Sequence, residues 1–385
     1  MAADLAWKDA LRRIGWISGL NAFIKARATL RDYRKTLDYY RHRTARAHPH
    51  VPQLAARGPL QIFFVGTDEQ QDRSGILQAL GSLGNLRYFT RADGSYGQND
   101  PRTGEVRRRA NSERLWEQVA TAAVQGEVPH VLLAQTWASV IDPHVLARSK
   151  SAYGTLIINI SMDDRHQFRG EKVSGEWSGT LGLIPALDLA LTAAPECVEW
   201  YEKEGCPALY FPEASDPDIF RPAPDAPKLY DVSFVGGCYG IRKQIVGAIR
   251  RAGIRVAAFG SGWDQGRIAT EAVPALFAQS KIVLGVGTIG HCHDFFALKM
   301  RDFDAPMSGS LYLTHDNPDL GALFDIGAEI VTYRSSADCV EKVRYFLQHD
   351  RERETIAAAG RARAAREHTW HKRFGRLFNA LGVAD

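Results

Sequence analysis

The chain after residue 56 alternates short apolar runs with stretches in which apolar residues recur every three or four positions. Apolar runs without alternating polar residues are typical of parallel strands that are buried on both faces. Stretches with the longer period are typical of helices that cover such a sheet. In the first half the pattern predicts strands over residues 60–65, 86–90, 130–136, 155–161, 187–192 and 208–211, and helices over 76–83 and 113–125.

A proline-rich segment interrupts this alternation. Five prolines fall between residues 212 and 227, a composition that is typical of a linker between domains. The alternation then restarts, with strands predicted over residues 232–235, 255–259, 281–286, 310–314 and 329–333, and helices over 241–251, 273–279, 298–307, 320–324, 337–349 and 351–368. We therefore predict two successive α/β domains, over residues 57–215 and 228–368, with a linker over 216–227 and a closing helix within 369–385.

Residues 1–56 differ from the rest because they are basic and predicted helical. They hold 11 Lys and Arg against 4 Asp and Glu, and apolar residues recur at helical spacing over residues 5–46. Two interpretations stay open for residues 1–46: a helix that packs on the body or on a second subunit, and a helix that contacts an anionic membrane surface. Because the excess charge belongs to this segment, we expect no nucleic-acid partner.

Composition places the protein among ordinary globular chains. Of its 385 residues, 45% are hydrophobic and 24% are charged, and no stretch approaches the roughly 20 apolar residues of a membrane-spanning helix. The five cysteines form no C-x-x-C pair, which is typical of free thiols in a reducing compartment. We expect a soluble cytoplasmic protein. If residues 1–46 contact a membrane surface, the protein would be peripheral to the inner face of that membrane.

The glycines after the first strand of the second domain are candidates for phosphate binding. Ligands of open α/β sheets settle beyond the carboxyl ends of the strands. The turn Gly236-Gly237-Cys238-Tyr239-Gly240 lies at such an end, with Arg242 beside it, and its amides suit a phosphate; a plain tight turn is the other interpretation. The next strand runs into Gly260 and Trp263 without the acidic residue of a dinucleotide site, and no G-x-x-x-x-G-K-[ST] motif occurs.

The segment from His291 to Gly309 carries the densest set of functional side chains. Lys299 and Arg301 lie at the start of a predicted helix, where cations are unfavourable unless an anion is nearby. Asp304, one turn later, could accept hydrogen bonds from a ribose, although a solvated charged face is the other interpretation. His291, Cys292 and His293 are adjacent and cannot readily converge on one ion, so we predict no metal site.

An ordered series of sequence fragments runs from about residue 205 to residue 375. It consists of residues 211–222, residues 231–237 with Arg242, Arg301-x-Phe303-Asp304 followed by Gly309, Leu323-Phe324, Gly327-x-Glu329-Ile330-Val331-x-Tyr333, Ile356-Ala357-x-x-Gly360, and Glu367-His368-Thr369-Trp370-x-x-Arg373. As an ordered series, rather than as one motif, these fragments resemble the glycosyltransferases related to the spore-maturation protein CgeB. In the first half, only Asp163-Asp164 after a strand is similar to the family.

The resemblance implies a GT-B architecture, in which two Rossmann-like domains face each other across a cleft. The second domain would bind a nucleoside-diphosphate sugar, with UDP the first expectation, and the last helix would cross back to the first domain. The implied donor-binding residues are Gly236, Gly237, Tyr239, Arg242, Gly260, Trp263, Lys299, Arg301 and Asp304. The family usually has glutamate at the position of Asp304, and its acidic partner eight residues upstream would fall on Phe296, so that role is not carried over.

The implied reaction is transfer of a sugar to a hydroxyl of a glycan, a lipid-linked glycan or a protein, with no cofactor beyond the donor. Fixed cations, here Lys299 and Arg301, and the amides of the glycine turn would stabilise the departing diphosphate without a metal. Asp163, Asp164 and His293 are candidates for the base that accepts the proton of the acceptor. A sugar-nucleotide epimerase, a phosphorylase and a non-catalytic sugar-nucleotide or glycan-binding protein are the alternatives on the same fold.

Overall fold

The first half of the chain builds a six-stranded parallel sheet. A computed structural model describes residues 15–44, 49–54, 58–173 and 175–383. The strands are β1 (Gln61–Val65), β2 (Asn85–Tyr88), β3 (Val131–Ala134), β4 (Leu156–Ser161), β7 (Leu189–Thr192) and β8 (Ala208–Tyr210), in the spatial order β2-β1-β3-β4-β7-β8. All neighbouring pairs are parallel. A short antiparallel hairpin, β5 (Lys172–Val173) with β6 (Glu176–Trp177), lies outside this sheet.

The second half repeats the design with a five-stranded parallel sheet in the order β10-β9-β11-β12-β13. These strands are β9 (Tyr230–Val235), β10 (Val256–Phe259), β11 (Ser280–Leu284), β12 (Leu311–His315) and β13 (Val331–Tyr333). The order places the topological switch between β9 and β11. Loops leave these two strands in opposite directions, which opens a crevice at their carboxyl ends.

Helices cover both sheets. They are α1 (Gly15–Arg41), α2 (Glu69–Asp72), α3 (Ile76–Leu83), α4 (Gly104–Val124), α5 (Pro143–Tyr153), α6 (Asp164–Gln167), α7 (Pro195–Lys203), α8 (Arg242–Arg251), α9 (Val273–Ala278), α10 (Arg301–Met307), α11 (Ser336–Gln348), α12 (Asp350–Glu367) and α13 (Trp370–Ala380). Three 3₁₀ turns complete the set, over Thr180–Ala186, Thr270–Ala272 and Pro318–Ala322. None of the helices in this described part of the chain is long and apolar enough to cross a membrane.

The last helix belongs to the core of the first sheet. Trp370, Phe374 and Leu377 of α13 are buried together with Phe64 of β1 and Ile76 of α3. Helix α13 thus follows the second half of the chain but packs on the first sheet.

Helix α1 touches both halves of the molecule. Its Tyr40 is buried in the core of the first sheet, while Ala26 and Leu30 pack on a small cluster that contains Cys292 and Phe295, after β11. The hydroxyl of Tyr40 donates to Glu204 Oε1 at 2.7 Å. Residues 5–14 and 45–46 of the predicted leader helix lie outside the described residues.

Four helices differ from the prediction. Helix α4 begins at Gly104 rather than at residue 113, and α10 begins at Arg301 rather than at residue 298. Helices α5 and α7 were not predicted; each begins with a proline in its first turn, and α5 is also capped by the Asp142 side chain, which accepts from the N–H of His144. The starts of α5 and α7 are thus marked by proline, and in α5 by a cap, rather than by apolar periodicity.

Candidate active site

Two glycine turns meet at the topological switch of the second sheet. The turn after β9 begins at Gly236, whose N–H donates to the carbonyl of Phe259 at 2.8 Å. Gly260, after β10, has a φ of 135°, and a Cβ on it would lie 2.3 Å from the carbonyl oxygen of Gly236. Only glycine fits such a close approach of two backbones. The N–H of Gly237 has no partner among the described residues and is free to bind a ligand.

The Gly260→Ala variant is expected to disturb this turn. The added methyl group must displace the Gly236 carbonyl, and a φ of 135° strains any L-residue by about 1–3 kcal/mol. We expect a lower melting temperature and a loss of nucleotide affinity of at least about tenfold. Gly81→Ala in α3 is the matched control, because a Cβ at Gly81 meets no atom within 4 Å. Unchanged nucleotide affinity in Gly260→Ala would contradict the role of the turn.

Arg242 and Arg301 form a pair of unneutralised cations beside the first turn. A nitrogen of each guanidinium lies 3.3 Å from the point where a side chain on Gly236 would begin. Among the described residues neither forms a salt bridge: Arg242 donates to the carbonyl of Gly237 at 3.3 Å and Arg301 to that of Val235, while the Nε atoms of both are buried without a partner. Burial and the neighbouring Arg301 lower the pKa of Arg242 to about 10. Two like charges held this close are unfavourable without an anion, so the pair is a candidate anion site.

Aromatic side chains pack around this candidate anion site. The Arg242 guanidinium lies 4.1 Å from the ring centre of Tyr239, and that of Arg301 lies 5.0 Å from the ring centre of Phe234. The indole N–H of Trp263 donates to the carbonyl of Gly236 at 2.7 Å. Trp263 therefore holds the turn in place. The side chain of Tyr239 is 43% exposed to solvent.

The residues around the start of α10 divide between the cleft and the interior. Lys299 precedes the helix and its N–H donates to Asp302 Oδ2 at 2.7 Å, which fixes the backbone there. Asp304 is 6% exposed, and its Oδ1 has no described partner. Burial raises the pKa of Asp304 well above its usual range, while the side chain of Ser215 acts in the opposite direction. The ribose contact predicted for Asp304 thus falls on a carboxyl group that is buried beside Ser215.

Charged side chains from both halves meet at the boundary between them. Lys299 Nζ lies 3.6 Å from Oδ1 of Asp163, which follows β4, and the Asp163 side chain is 43% exposed. His166 of α6 is near both residues, and burial lowers the pKa of its imidazole. A neutral histidine and an accessible carboxylate can each accept a proton, so the structure brings together one predicted base and one that the sequence did not indicate.

The other two predicted bases, Asp164 and His293, have different surroundings from Asp163. Asp164 has no exposed surface; Tyr201 donates to its Oδ2 at 3.3 Å, and burial raises the pKa of Asp164 to about 7. Its position in the interior speaks against the general-base role predicted for it. His293 is exposed and lies near His315.

Sequence analysis did not identify two buried residues, Glu213 and His315, as candidates. Glu213 follows β8, is 3% exposed, and its Oε2 has no described partner. Burial raises the pKa of Glu213 to about 8, with Lys299 acting in the opposite direction. His315 ends β12, and burial lowers its pKa to about 4. Their position could have indicated them, because both residues lie at the carboxyl end of a strand, where ligands of such sheets bind.

Glu213→Gln is expected to flatten the dependence of stability on pH. The folded protein holds the Glu213 proton up to about pH 8, whereas the unfolded chain releases it near 4.5, so this carboxyl favours the folded state below pH 4.5 and that contribution is lost as the pH rises to about 8. Urea unfolding of wild type and variant at pH 5 and at pH 8, roughly the two ends of this window, measures it. We expect the wild type to lose more stability than Glu213→Gln between the two pH values; equal losses would contradict the assignment.

Arg165 of α6 connects the two halves. It donates to both carboxylate oxygens of Glu196, at 2.7 and 2.8 Å, to Asp319 at 2.7 Å and to the carbonyl of Phe296 at 2.7 Å. Burial alone would lower the pKa of Arg165, but its hydrogen bonds with Glu196 and Asp319 raise it. The guanidinium therefore fixes the spacing of the two halves at one side of the cleft.

The described residues offer no obvious metal site. In that part of the chain no group of three or more His, Cys, Asp or Glu side chains converges on a point that could hold an ion. Metal-independent chemistry stays a prediction.

Comparison with known proteins identifies the class of fold. Residues 242–379 match the family model described as Glycosyl transferase-like. Sucrose-phosphate synthase from Thermosynechococcus elongatus superposes with a TM-score of 0.61 at 12% identity, over 85% of this chain and 100% of that one. Anabaena HepE, in complex with UDP and glucose, gives 0.55 at 11% identity, over 84% and 100%. A glycosyltransferase from Rickettsia africae gives 0.57 at 8% identity, over 85% and 99%.

The fold of the chain is therefore GT-B, as predicted, with two Rossmann-like units. The family match over the second half and the shared fold together support an enzyme of the glycosyltransferase class. A search of curated protein sequences gave no match.

Proposed function

We propose that this protein transfers a sugar from a nucleoside-diphosphate sugar to a hydroxyl group of a glycan, lipid-linked or protein acceptor. The observation that carries the proposal is the pair Arg242 and Arg301, two neighbouring guanidinium groups without a described carboxylate partner, beside the free N–H of Gly237. A diphosphate supplies the negative charge that this arrangement lacks.

The charges also support the chemistry of transfer. When the sugar–phosphate bond breaks, negative charge develops on the departing diphosphate, and preorganised cations stabilise it in a site with little water. Lys299 Nζ lies 3.6 Å from Oδ1 of Asp163, and its charge would interact with the reacting end of the donor. Asp163 or His166 would then accept the proton of the acceptor hydroxyl, with no metal required.

The proposed donor is a UDP-sugar. HepE, which shares the fold, is described in complex with UDP-glucose, and the ordered fragments of the second half favour a relationship to the CgeB-like glycosyltransferases. The acceptor would approach from the first sheet, on the side of Asp163.

Calorimetry with a panel of nucleoside diphosphates, followed by a nucleotide-release assay with the matching sugar nucleotides, tests the proposal. We expect heat with UDP and slow release of UDP from a UDP-sugar. Inversion at a ring carbon would instead identify an epimerase, and binding without turnover a non-catalytic protein. No heat with any nucleotide, for a protein shown to be folded, would refute the diphosphate site.

A further inference from the structure

Helix α1 has two faces of different character. Ala26, Leu30, Tyr33, Leu37 and Tyr40 follow one another at steps of three and four residues and pack on the body of the protein. The hydroxyl of Tyr33 donates to Glu196 Oε1 at 3.1 Å, and Lys203 Nζ donates to the carbonyl of Tyr40 at 2.5 Å. These contacts hold α1 on the body of the protein along this face. The opposite face is exposed to solvent.

The outward face begins with three large apolar side chains. Leu20, Phe23 and Ile24 are 53%, 56% and 54% exposed. They lie next to each other, because residues three and four apart share one side of a helix. Adjacent large apolar residues that are each more than half exposed mark an interaction surface rather than ordinary scatter.

The same face continues as a row of cations. Arg27, Arg31, Arg34 and Lys35 follow the apolar residues at helical spacing, and all four are exposed. Two acidic residues lie beside these cations: Asp32, 3.1 Å from Arg31, and Asp38, 3.7 Å from Arg41. Apolar side chains next to a cluster of Lys and Arg are the pattern of a helix that lies in the plane of an anionic bilayer.

We propose that this face, made of Leu20, Phe23, Ile24, Arg27, Arg31, Arg34 and Lys35, docks the protein on an anionic lipid surface. The apolar side chains enter the boundary between headgroups and acyl chains, and the cations contact lipid phosphates. Because α1 also packs on the cluster around Cys292 and Phe295, docking brings one edge of the cleft close to the bilayer.

Charge distinguishes a bilayer from a second copy of the chain as the occupant. A symmetric dimer places the same patch on both partners, so the four cations of one copy would face those of the other. Like charges across an interface are unfavourable, whereas an anionic lipid surface neutralises them. The inference is independent of the proposed reaction, since it concerns binding to lipid alone.

Co-sedimentation of the full chain with vesicles tests it. We expect binding to vesicles of equal parts phosphatidylglycerol and phosphatidylcholine, and at least about tenfold weaker binding to phosphatidylcholine alone. The triple variant Leu20→Gln, Phe23→Gln, Ile24→Gln and the quadruple variant Arg27→Gln, Arg31→Gln, Arg34→Gln, Lys35→Gln are each expected to lose at least about tenfold in affinity. High salt should weaken binding of the wild type as well.

The matched control replaces exposed apolar residues elsewhere, by Val106→Gln, Val124→Gln and Leu229→Gln, whose native side chains are 61%, 90% and 53% exposed. The control should bind like the wild type, and circular dichroism should show equal folding of all variants. Failure of the wild type to bind the anionic vesicles, or equal binding by the triple variant, overturns the proposal. A dimer in sedimentation equilibrium that the triple variant dissociates would assign the face to a second copy instead.

Discussion

Replacing Arg242 and Arg301 together by glutamine is expected to weaken UDP binding by about a hundredfold or more. Each hydrogen bond to a charged partner contributes about 1.5–3 kcal/mol, and each 1.4 kcal/mol is about a factor of ten in affinity. Arg301→Ala alone should lower turnover at least about tenfold if the guanidinium stabilises the departing diphosphate. Calorimetry with UDP and single-turnover kinetics measure the two effects.

The stability of the double variant separates binding from structure. In the free protein the two cations repel each other but also donate to the carbonyls of Gly237 and Val235, so their replacement should change the melting temperature little while affinity falls. A large drop in melting temperature would instead assign the pair a structural role. Arg255→Gln is the matched control, because its side chain is 83% exposed and pairs with Asp231 at the outer edge of the same sheet. It should bind UDP like the wild type.

Arg165→Met is expected to destabilise the protein by about 3–5 kcal/mol. The substitution leaves Glu196 and Asp319 partly buried without their cation, and removing one partner of a buried ion pair costs about this much. Chemical unfolding measures the loss. Arg73→Met is the control, because the Arg73–Glu69 pair is about half exposed on both sides and contributes at most about 1 kcal/mol.

A compensated variant tests the physical reason. In Arg165→Met, Glu196→Gln, Asp319→Asn the uncompensated charges are absent, so we expect most of the lost stability to return. If the triple variant is no more stable than Arg165→Met, the cost comes from lost packing rather than from unpaired carboxylates. In either case the spacing of the two halves should become more variable in small-angle scattering.

The sheets were predictable from sequence because their strands are buried on both faces. A run such as Gln61–Val65 is apolar at four of its five positions, and such runs stand out between helices whatever their tertiary partners are. Helix α4 was shortened in the prediction because its first part is strongly polar, with Arg107, Arg108 and Arg109 in succession. Apolar periodicity gives no signal where a helix faces solvent on most sides.

The candidate site was predictable only where it is local in sequence. The glycine turn with Arg242, and Lys299 with Arg301, could be found because each set lies just beyond a strand end or before a helix. Arg165 and Asp319 are 154 residues apart, and nothing in either segment indicates that they meet. The burial of Asp164 and the exposure of Asp163 are likewise set by tertiary packing, which two adjacent aspartates do not reveal in sequence.

Helix α13 has a consequence for how the molecule is made. The first sheet is synthesised early, yet Phe64 and Ile76 remain without part of their packing until Trp370, Phe374 and Leu377 leave the ribosome. Domains generally complete their folding as units during synthesis, and this one is incomplete until residues 370–377 are available. A nascent chain that stalls before residue 370 would carry an open apolar surface on its first sheet, which makes it a substrate for chaperones rather than a partly working protein.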